Sequence, residues 1–467
     1  MARPWPDRPP NSEERATYAD AVARPFWLPE REPELADLPS QTDLCIVGGG
    51  FTGLWAALHA ERSTVVLEAE TVGFGASGRN GGFVSSSLTH GIENGLARFE
   101  GEMPLLERLG RDNYDGLLAD VQRRGIDCSL EEVGELTVAL EPHELDWLQE
   151  DAALLERFGH SVELFDGDAM RAEIASPTYL GGLWHRSGQA LVDPGRLALG
   201  LRDAVVRGGL QVHEGTRVTG LRENGDGVVV STTRGTLRAR RVLLGTSAYP
   251  PLARAVRRYV VPVYDYVLVS EPLSPTLRAE LGWRRRQGVS DAGNQFHYYR
   301  LTPDDRILWG GFDAVYRFRG GVGPDRDECD ATFGRLARNF FATFPQLRGR
   351  LRFEYRWGGA IDTCSRFSVF FGTALGGRVA YATGYTGLGV GATRFGARVA
   401  LDLLDGRSTE ATRSRYVRTR PVPFPPEPLR TGVIQLTRNR LAAADRHQGR
   451  RGVWLRTLDR LGLGFDS

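Results

Sequence analysis

The 467-residue chain predicts an α/β (α+β) fold. A Rossmann-like nucleotide-binding domain is assembled from non-contiguous segments, and a β-rich second domain covers its ligand. Two observations carry this prediction. Near the N-terminus a short apolar strand runs into "GGGFTG", then a helix, then a second strand. More than 300 residues later another strand runs through "GYTGLGVGA" (384–392) into another helix, and the sequence between is rich in short strands.

Composition bounds the class. A hydrophobic share of 41% and a charged share of 25% suit a soluble globular enzyme of two or three domains. Net charge is +1, so no overall field points to nucleic acid or a membrane surface. All 59 basic residues are Arg, which rules out a Schiff-base or phosphate-loop lysine. Cys45, Cys128, Cys329 and Cys364 are scattered, and the histidines show no metal spacing. That argues against a metal site or a disulfide framework and suits a reducing, cytoplasmic setting. No apolar core of a signal peptide and no run of 18 apolar residues is present, so no membrane span is expected.

Taken in order, residues 1–40 read as an extended lead-in. Asp43–Val47 is a strand, "LWAALHAE" a short helix and Thr64–Leu67 the next strand. Residues 104–180 carry helical apolar periodicity. "VDPGRLALGLRDAVVRGG" predicts a helix capped by Asp193, with Pro194 in its first turn and Gly208–Gly209 as its stop. The "NGDG" and "TRG" turns predict hairpins, and residues 256–372 are strand-rich. The nucleotide-binding domain is therefore assigned 41–115, 181–255 and 373–410, and the second domain 116–180 and 256–372. The Arg-rich residues 411–467 are expected to be a packed, solvated extension rather than a nucleic-acid arm.

G-x-G-x-x-G occurs twice, 25 residues apart, at Gly48, Gly50, Gly53 and at Gly73, Gly75, Gly78. With so many glycines, about one such match is expected by chance, so context decides. Only the first follows a strand and opens a helix, and Glu68 closes the next strand, placed to accept from ribose hydroxyls. The second reads as a glycine loop, in which Arg79 and Asn80 offer polar contacts to a pyrophosphate or a polar ring. One early adenosine unit plus a late glycine-rich helix start suggests a ligand longer than one mononucleotide unit covers, which fits FAD better than NAD.

Together "IVGGGFTGLWAA", "LEAETVGFGASGRNGG", "LVDPGRL", "RRVLLGTSAY", "HYYRLTPDDRILWGG", "YRWGG" and "YATGYTGLGV" resemble the FAD-dependent amine and amino-acid oxidase family, which includes D-amino acid, glycine and sarcosine oxidases. The likeness is nearest the γ-glutamylputrescine oxidase branch and spans about 40–405. It implies an FAD-binding domain of non-contiguous segments plus a β-rich substrate domain. The implied FAD contacts are Gly48, Gly50, Phe51, Thr52, Gly53, Glu68, Ala69, Gly75, Ala76, Ser77, Arg79, Asn80, Gly81 and Gly82. Further along they are Val218, Thr246, Gly384, Tyr385, Thr386, Gly387, Leu388 and Gly389.

The resemblance implies oxidation of a C–N bond of a primary or secondary amine, by hydride transfer to flavin N5. The imine then hydrolyses, and dioxygen or another acceptor takes the electrons. FAD is expected to be non-covalent, because Cys364 is offset from the family's attachment position. Two departures matter. Where amino-acid oxidases of the family place an Arg after W-x-G, this chain has Ala360 and Ile361. That favours an amine over an α-amino acid unless Arg300 or Arg366 supplies the clamp. The Lys that sarcosine-oxidase relatives use with oxygen is absent, so an Arg or His replaces it or another acceptor is used.

Tyr264, Tyr299, Arg300 and Trp357 are the substrate-pocket candidates, each weighed against a core role. Asp362 reads as an ammonium ligand or an Arg partner. An α-amino-acid oxidase or dehydrogenase, an FAD monooxygenase and a non-catalytic FAD-binding protein remain as alternatives. The oligomeric state is not readable.

Overall fold

The computed structural model describes residues 4–6 and 8–464. Its nucleotide-binding half is an eight-stranded sheet. Gln41–Val47 lies between Gly235–Leu244 and Thr64–Leu67, and Gln211–His213 continues beyond Thr64–Leu67, all in parallel. Leu44, Ile46, Val66 and Leu243 are buried, as expected of parallel strands covered on both faces. The helices Phe51–His59, Pro194–Arg207 and Gly389–Asp405 contribute to the same core. Val218–Asn224, Gly227–Thr232 and Gly235–Leu244 form the two expected hairpins. Asp193 caps its helix by accepting from Arg196 N, with Pro194 in the first turn.

The second sheet has nine strands. Its centre is Val261–Ser270 between Phe353–Thr363 and Ile307–Gly311, followed by His297–Leu301, Gly288–Asp291 and Glu135–Ala139. Period-two alternation gives it two faces. Leu136, Val138, Tyr266, Leu268, Val289, Tyr299 and Trp309 pack into a core with the helix Asp330–Thr343. Glu135, Thr137, Val263, Asp265, Ser290 and Tyr298 point the other way, into a cavity between the two sheets.

Two expected boundaries move. Gly181–His185 pairs with Glu135–Ala139 and Val162–Asp166, so it belongs to the nine-stranded sheet and not to the nucleotide-binding half. Phe370–Ala374 pairs with Val379–Thr383 in the eight-stranded sheet, ahead of the expected start at 373. The lead-in is docked: Val22–Ala23 adds an edge strand beside Tyr355 and Arg356, and Trp5, Tyr18 and Trp27 are buried. Apolar aromatics in a Pro-rich segment were the available signal. After two helical turns, Glu410–Arg413 and Arg415–Arg418, the C-terminal extension forms two longer helices, Leu429–Arg446 and Val453–Arg460.

Candidate active site

One cavity of about 1410 Å³ runs between the sheets and touches all three glycine-rich segments. At its nucleotide end, Gly48 has φ +111, and a Cβ there would lie 2.5 Å from Gly245 O. That left-handed turn frees the Phe51–His59 helix to open on the cavity at Gly50, where a Cβ would meet Ser77 Oγ at 2.8 Å. Gly53 faces away from the cavity, against Gly48 O and Ile46, so it serves helix–strand packing. Glu68 Oε2 accepts from Gly49 N at 2.6 Å and Oε1 from Glu70 N at 2.9 Å. The carboxylate is thus fixed beside the turn, with its pKa raised by burial. Phe51, Thr52, Ala69, Val218 and Thr246 complete this end.

Gly75, Ala76, Ser77, Arg79, Asn80 and Gly81 line the cavity as well, but their polar groups differ from expectation. Arg79 Nη1 bonds Asp327 at 2.6 Å and Gly358 O at 2.9 Å, and its Nε donates to Phe74 O. Asn80 Nδ2 donates to Ala76 O and Ser77 O, and its Oδ1 accepts from Gly82 N. Both side chains are therefore spent shaping the loop and tying it to the second domain. Ser77 Oγ accepts from Phe51 N at 2.9 Å, joining the first two glycine segments. Gly82 packs against Val192 O and Arg300 outside the cavity.

At the third segment, Tyr385, Thr386, Gly387, Leu388 and Gly389 lie on the cavity wall where the Gly389–Asp405 helix begins. Gly384 itself is behind it and donates its N–H to Asp362 Oδ2 at 2.7 Å. Thr52 Oγ1 donates to Tyr385 OH at 3.0 Å, so the early and late helix starts meet. Among the described residues no Arg pairs with Asp362. Burial pushes its carboxyl up to about 6, although Gly384 N and Thr383 Oγ1 stabilise the charged form.

Of the four substrate-pocket candidates, only Tyr264 reaches the cavity, and its hydroxyl is engaged by Gly323 N at 3.1 Å. Tyr299 occupies the opposite face of its strand, bonded to Tyr179 OH at 2.7 Å and packed on Trp309. Arg300 is buried with Nη1 2.6 Å from Val192 O. Trp357 donates to Arg79 O at 3.0 Å from within a separate apolar cluster. Arg366 is likewise consumed by the carbonyls of Ser368, Val369, Tyr416 and Thr419.

The residues passed over are Tyr298 and Asp265. Tyr298 OH donates to Asp265 Oδ2 at 2.5 Å, and both line the cavity. The Tyr298 ring abuts Gly81, where a Cβ would lie 2.8 Å from Cε2. Burial pushes Asp265 up to about 6, and burial plus that carboxylate push Tyr298 well above its usual range. A carboxylate in the apolar strand "VPVYDYVLVS" was the available signal.

A lobe of the same cavity is lined by Glu93, Glu107, Glu135 and Asp151, with His160 and His185. His160 Nε2 is 2.7 Å from Glu107, and His185 Nε2 is 3.0 Å from His160 Nδ1. Burial and the neighbouring His160 push His185 down to about 3, and burial pushes Asp151 up to about 6. Both C-terminal helices close the cavity through Val433, Ile434, Arg438, Leu441, Leu455 and Leu458. The extension is thus a cavity wall and more than a solvated appendage. Among the described residues no helix is long and apolar enough to cross a membrane.

Parallel-sheet core, glycine turn and closing carboxylate define a dinucleotide-dependent enzyme with a covered substrate cavity. The family is more specific. The sequence pattern of the FAD dependent oxidoreductase family, DAO, matches residues 43–403, and the chain belongs to that family. It is 35% identical over 378 residues to gamma-glutamylputrescine oxidoreductase of Escherichia coli K12, covering 78% of this chain and 84% of that one. It is 29% identical over 403 residues to a probable oxidoreductase, OrdL, of Haemophilus influenzae, covering 84% and 88%. The fold is similar to the crystal structure of glycine oxidase from Geobacillus kaustophilus: TM-score 0.68, 20% identity, covering 82% of this chain and all of that one.

The residues present fit FAD. A Cβ would collide with protein at Gly48 and Gly50, the Gly387 and Gly389 backbone is bare towards the open cavity, and Thr393 Oγ1, on the cavity wall, is buried without a partner among the described residues.

Proposed function

We propose that this FAD-dependent oxidoreductase oxidises the C–N bond of a primary or secondary amine. The observation that carries this reading is the acidic wall of the cavity: Glu93, Glu107, Glu135, Asp151 and Asp265 all border it. Such a wall attracts an ammonium and repels an unaccompanied anion. His185, pushed down to about 3, stays neutral and does not oppose it. The name of the Escherichia coli relative, a putrescine-derived amine oxidoreductase, agrees.

An alkylammonium must lose a proton before its carbon can give up hydride. Asp265 has the position and the raised pKa to accept that proton on its carboxylate near neutral pH. Tyr298 OH, 2.5 Å from Oδ2, steadies the charged form before the amine arrives. The C-terminal helices line one side of the cavity, and the imine product is hydrolysed by water. When bound, FAD supplies the hydride acceptor, and its reoxidation by dioxygen gives hydrogen peroxide.

Gly48, Gly50, Glu68, Ser77, Val218 and the 385–389 segment would hold it. A non-covalent attachment is supported by Cys364, whose thiol donates to Ser368 O and Gly384 O and is pushed up by burial. Anaerobic mixing with a panel of amines tests the reading: amines bleach the flavin, and bleaching by NADPH without amine would replace it with a monooxygenase.

A further inference from the structure

The net charge of +1 conceals a segregation. Twelve of the 59 basic residues but only four of the 58 acids fall in 411–467, which leaves this extension at +8 and the rest of the chain at −7. Exposed apolar side chains gather there too. Among the described residues ten large ones are exposed, and five of them, Val422, Leu429, Leu436, Val453 and Leu461, belong to this segment. Single exposed apolar residues are ordinary, but a cluster of them marks a contact surface.

Helical spacing sorts these residues onto one side. Leu429 and Leu436 are seven residues apart on Leu429–Arg446, with Arg440 one turn further on. Val453, Arg456 and Arg460 recur at helical spacing on Val453–Arg460, and Leu461 follows. The other sides of both helices face inward, where Val433, Ile434, Leu441, Leu455 and Leu458 line the cavity. Trp454 Nε1 donates to Thr437 Oγ1 at 3.1 Å and joins the two helices. Asp445 accepts from Asn294 N and Gln295 N and anchors them to the body. Arg440, Arg446, Arg450, Arg456 and Arg460 are exposed and make no ion pair among the described residues, whereas Arg451 pairs with Asp459.

We propose that the outward face of the two C-terminal helices docks on an anionic membrane surface. The exposed Leu and Val side chains enter the headgroup boundary, and the unpaired guanidiniums meet lipid phosphates. No span is required, because the helices lie in the plane of the interface. A nucleic acid would use the same positive charge, but phosphate contacts gain nothing from bare aliphatic side chains. The acidic remainder of the chain is repelled by the same surface, and this fixes the orientation. Since the inner sides of these helices wall the cavity, docking sets that wall against the bilayer.

Sedimentation of the holoenzyme with vesicles tests this, comparing pure phosphatidylcholine with an equal mixture of phosphatidylcholine and phosphatidylglycerol. The wild type should bind the anionic vesicles at least roughly tenfold more tightly, and salt should weaken that binding. Arg456→Gln combined with Arg460→Gln should cut the preference by roughly tenfold. Val453→Ser combined with Leu461→Ser should weaken binding while leaving its salt dependence in place. All four positions are exposed and outside the cavity, so flavin absorbance and Tm should stay as in the wild type. Lost docking is thereby separated from lost folding. Equal binding to the two kinds of vesicle, or binding unchanged in both variants, would overturn the proposal. Tighter binding to a duplex oligonucleotide than to the anionic vesicles, untouched by the Val453 and Leu461 changes, would overturn it in favour of a nucleic acid.

Discussion

Tyr298 and Asp265 meet at 2.5 Å across the intervening strand Ile307–Gly311, with both side chains on the cavity face of the nine-stranded sheet. The hydroxyl donates to Oδ2, so it stabilises the carboxylate over the acid. Removing it by Tyr298→Phe should move the acid limb of kcat/KM, expected near pH 6 in the wild type, to higher pH. Asp265→Asn should abolish that limb and lower kcat/KM by roughly a hundredfold. A limb that stays in place in both variants would remove Asp265 from proton transfer.

Glu68 holds the glycine turn through Gly49 N at 2.6 Å, and the proposed FAD site gives it the ribose hydroxyls. Glu68→Gln keeps the shape but loses a charged acceptor, so FAD should bind about tenfold to a hundredfold more weakly. Titration of apoprotein with FAD, followed by quenching of flavin fluorescence, measures this. Unchanged affinity would place the adenosine elsewhere.

Tyr299 belongs to the core beside Tyr179 and Asp291 and not to the pocket. Tyr299→Phe should cost about 1–2 kcal/mol of stability, read as a lower Tm, and leave kcat/KM within about twofold. A large kinetic effect with unchanged Tm would return Tyr299 to the site.

Glu68 was legible because strand, glycine turn and carboxylate are local in sequence and their spacing is fixed by one βαβ unit. Tyr299 was misplaced because alternation shows that Tyr298 and Tyr299 oppose one another but not which face meets the cavity. That depends on where the helix Asp330–Thr343 packs, some thirty residues on. Arg79 and Asn80 were found as cavity residues, but the ion pair of Arg79 with Asp327 was not. Ion pairs between distant segments leave no periodic trace. The C-terminal wall was hidden for the same reason: amphipathic helices announce an apolar face without naming what it covers.

Asp362 provides a thermodynamic check. Its folded pKa is about 6 against about 3.9 for an unperturbed Asp. The folded state therefore keeps a proton that the unfolded state releases between about pH 4 and pH 6. Its contribution to stability falls as pH rises through that window and is level above it. The difference in Tm between Asp362→Asn and wild-type apoprotein should grow in favour of the variant across that range. A difference that is constant with pH would mean Asp362 titrates normally.

The most direct measurement is anaerobic titration of the purified yellow holoenzyme with amines, followed at the oxidised flavin band. The account predicts stoichiometric bleaching by an amine, return of the band on admitting oxygen or another acceptor, and release of the chromophore into the supernatant on acid precipitation. A flavin that no amine bleaches, or that only NADPH reduces, would contradict it.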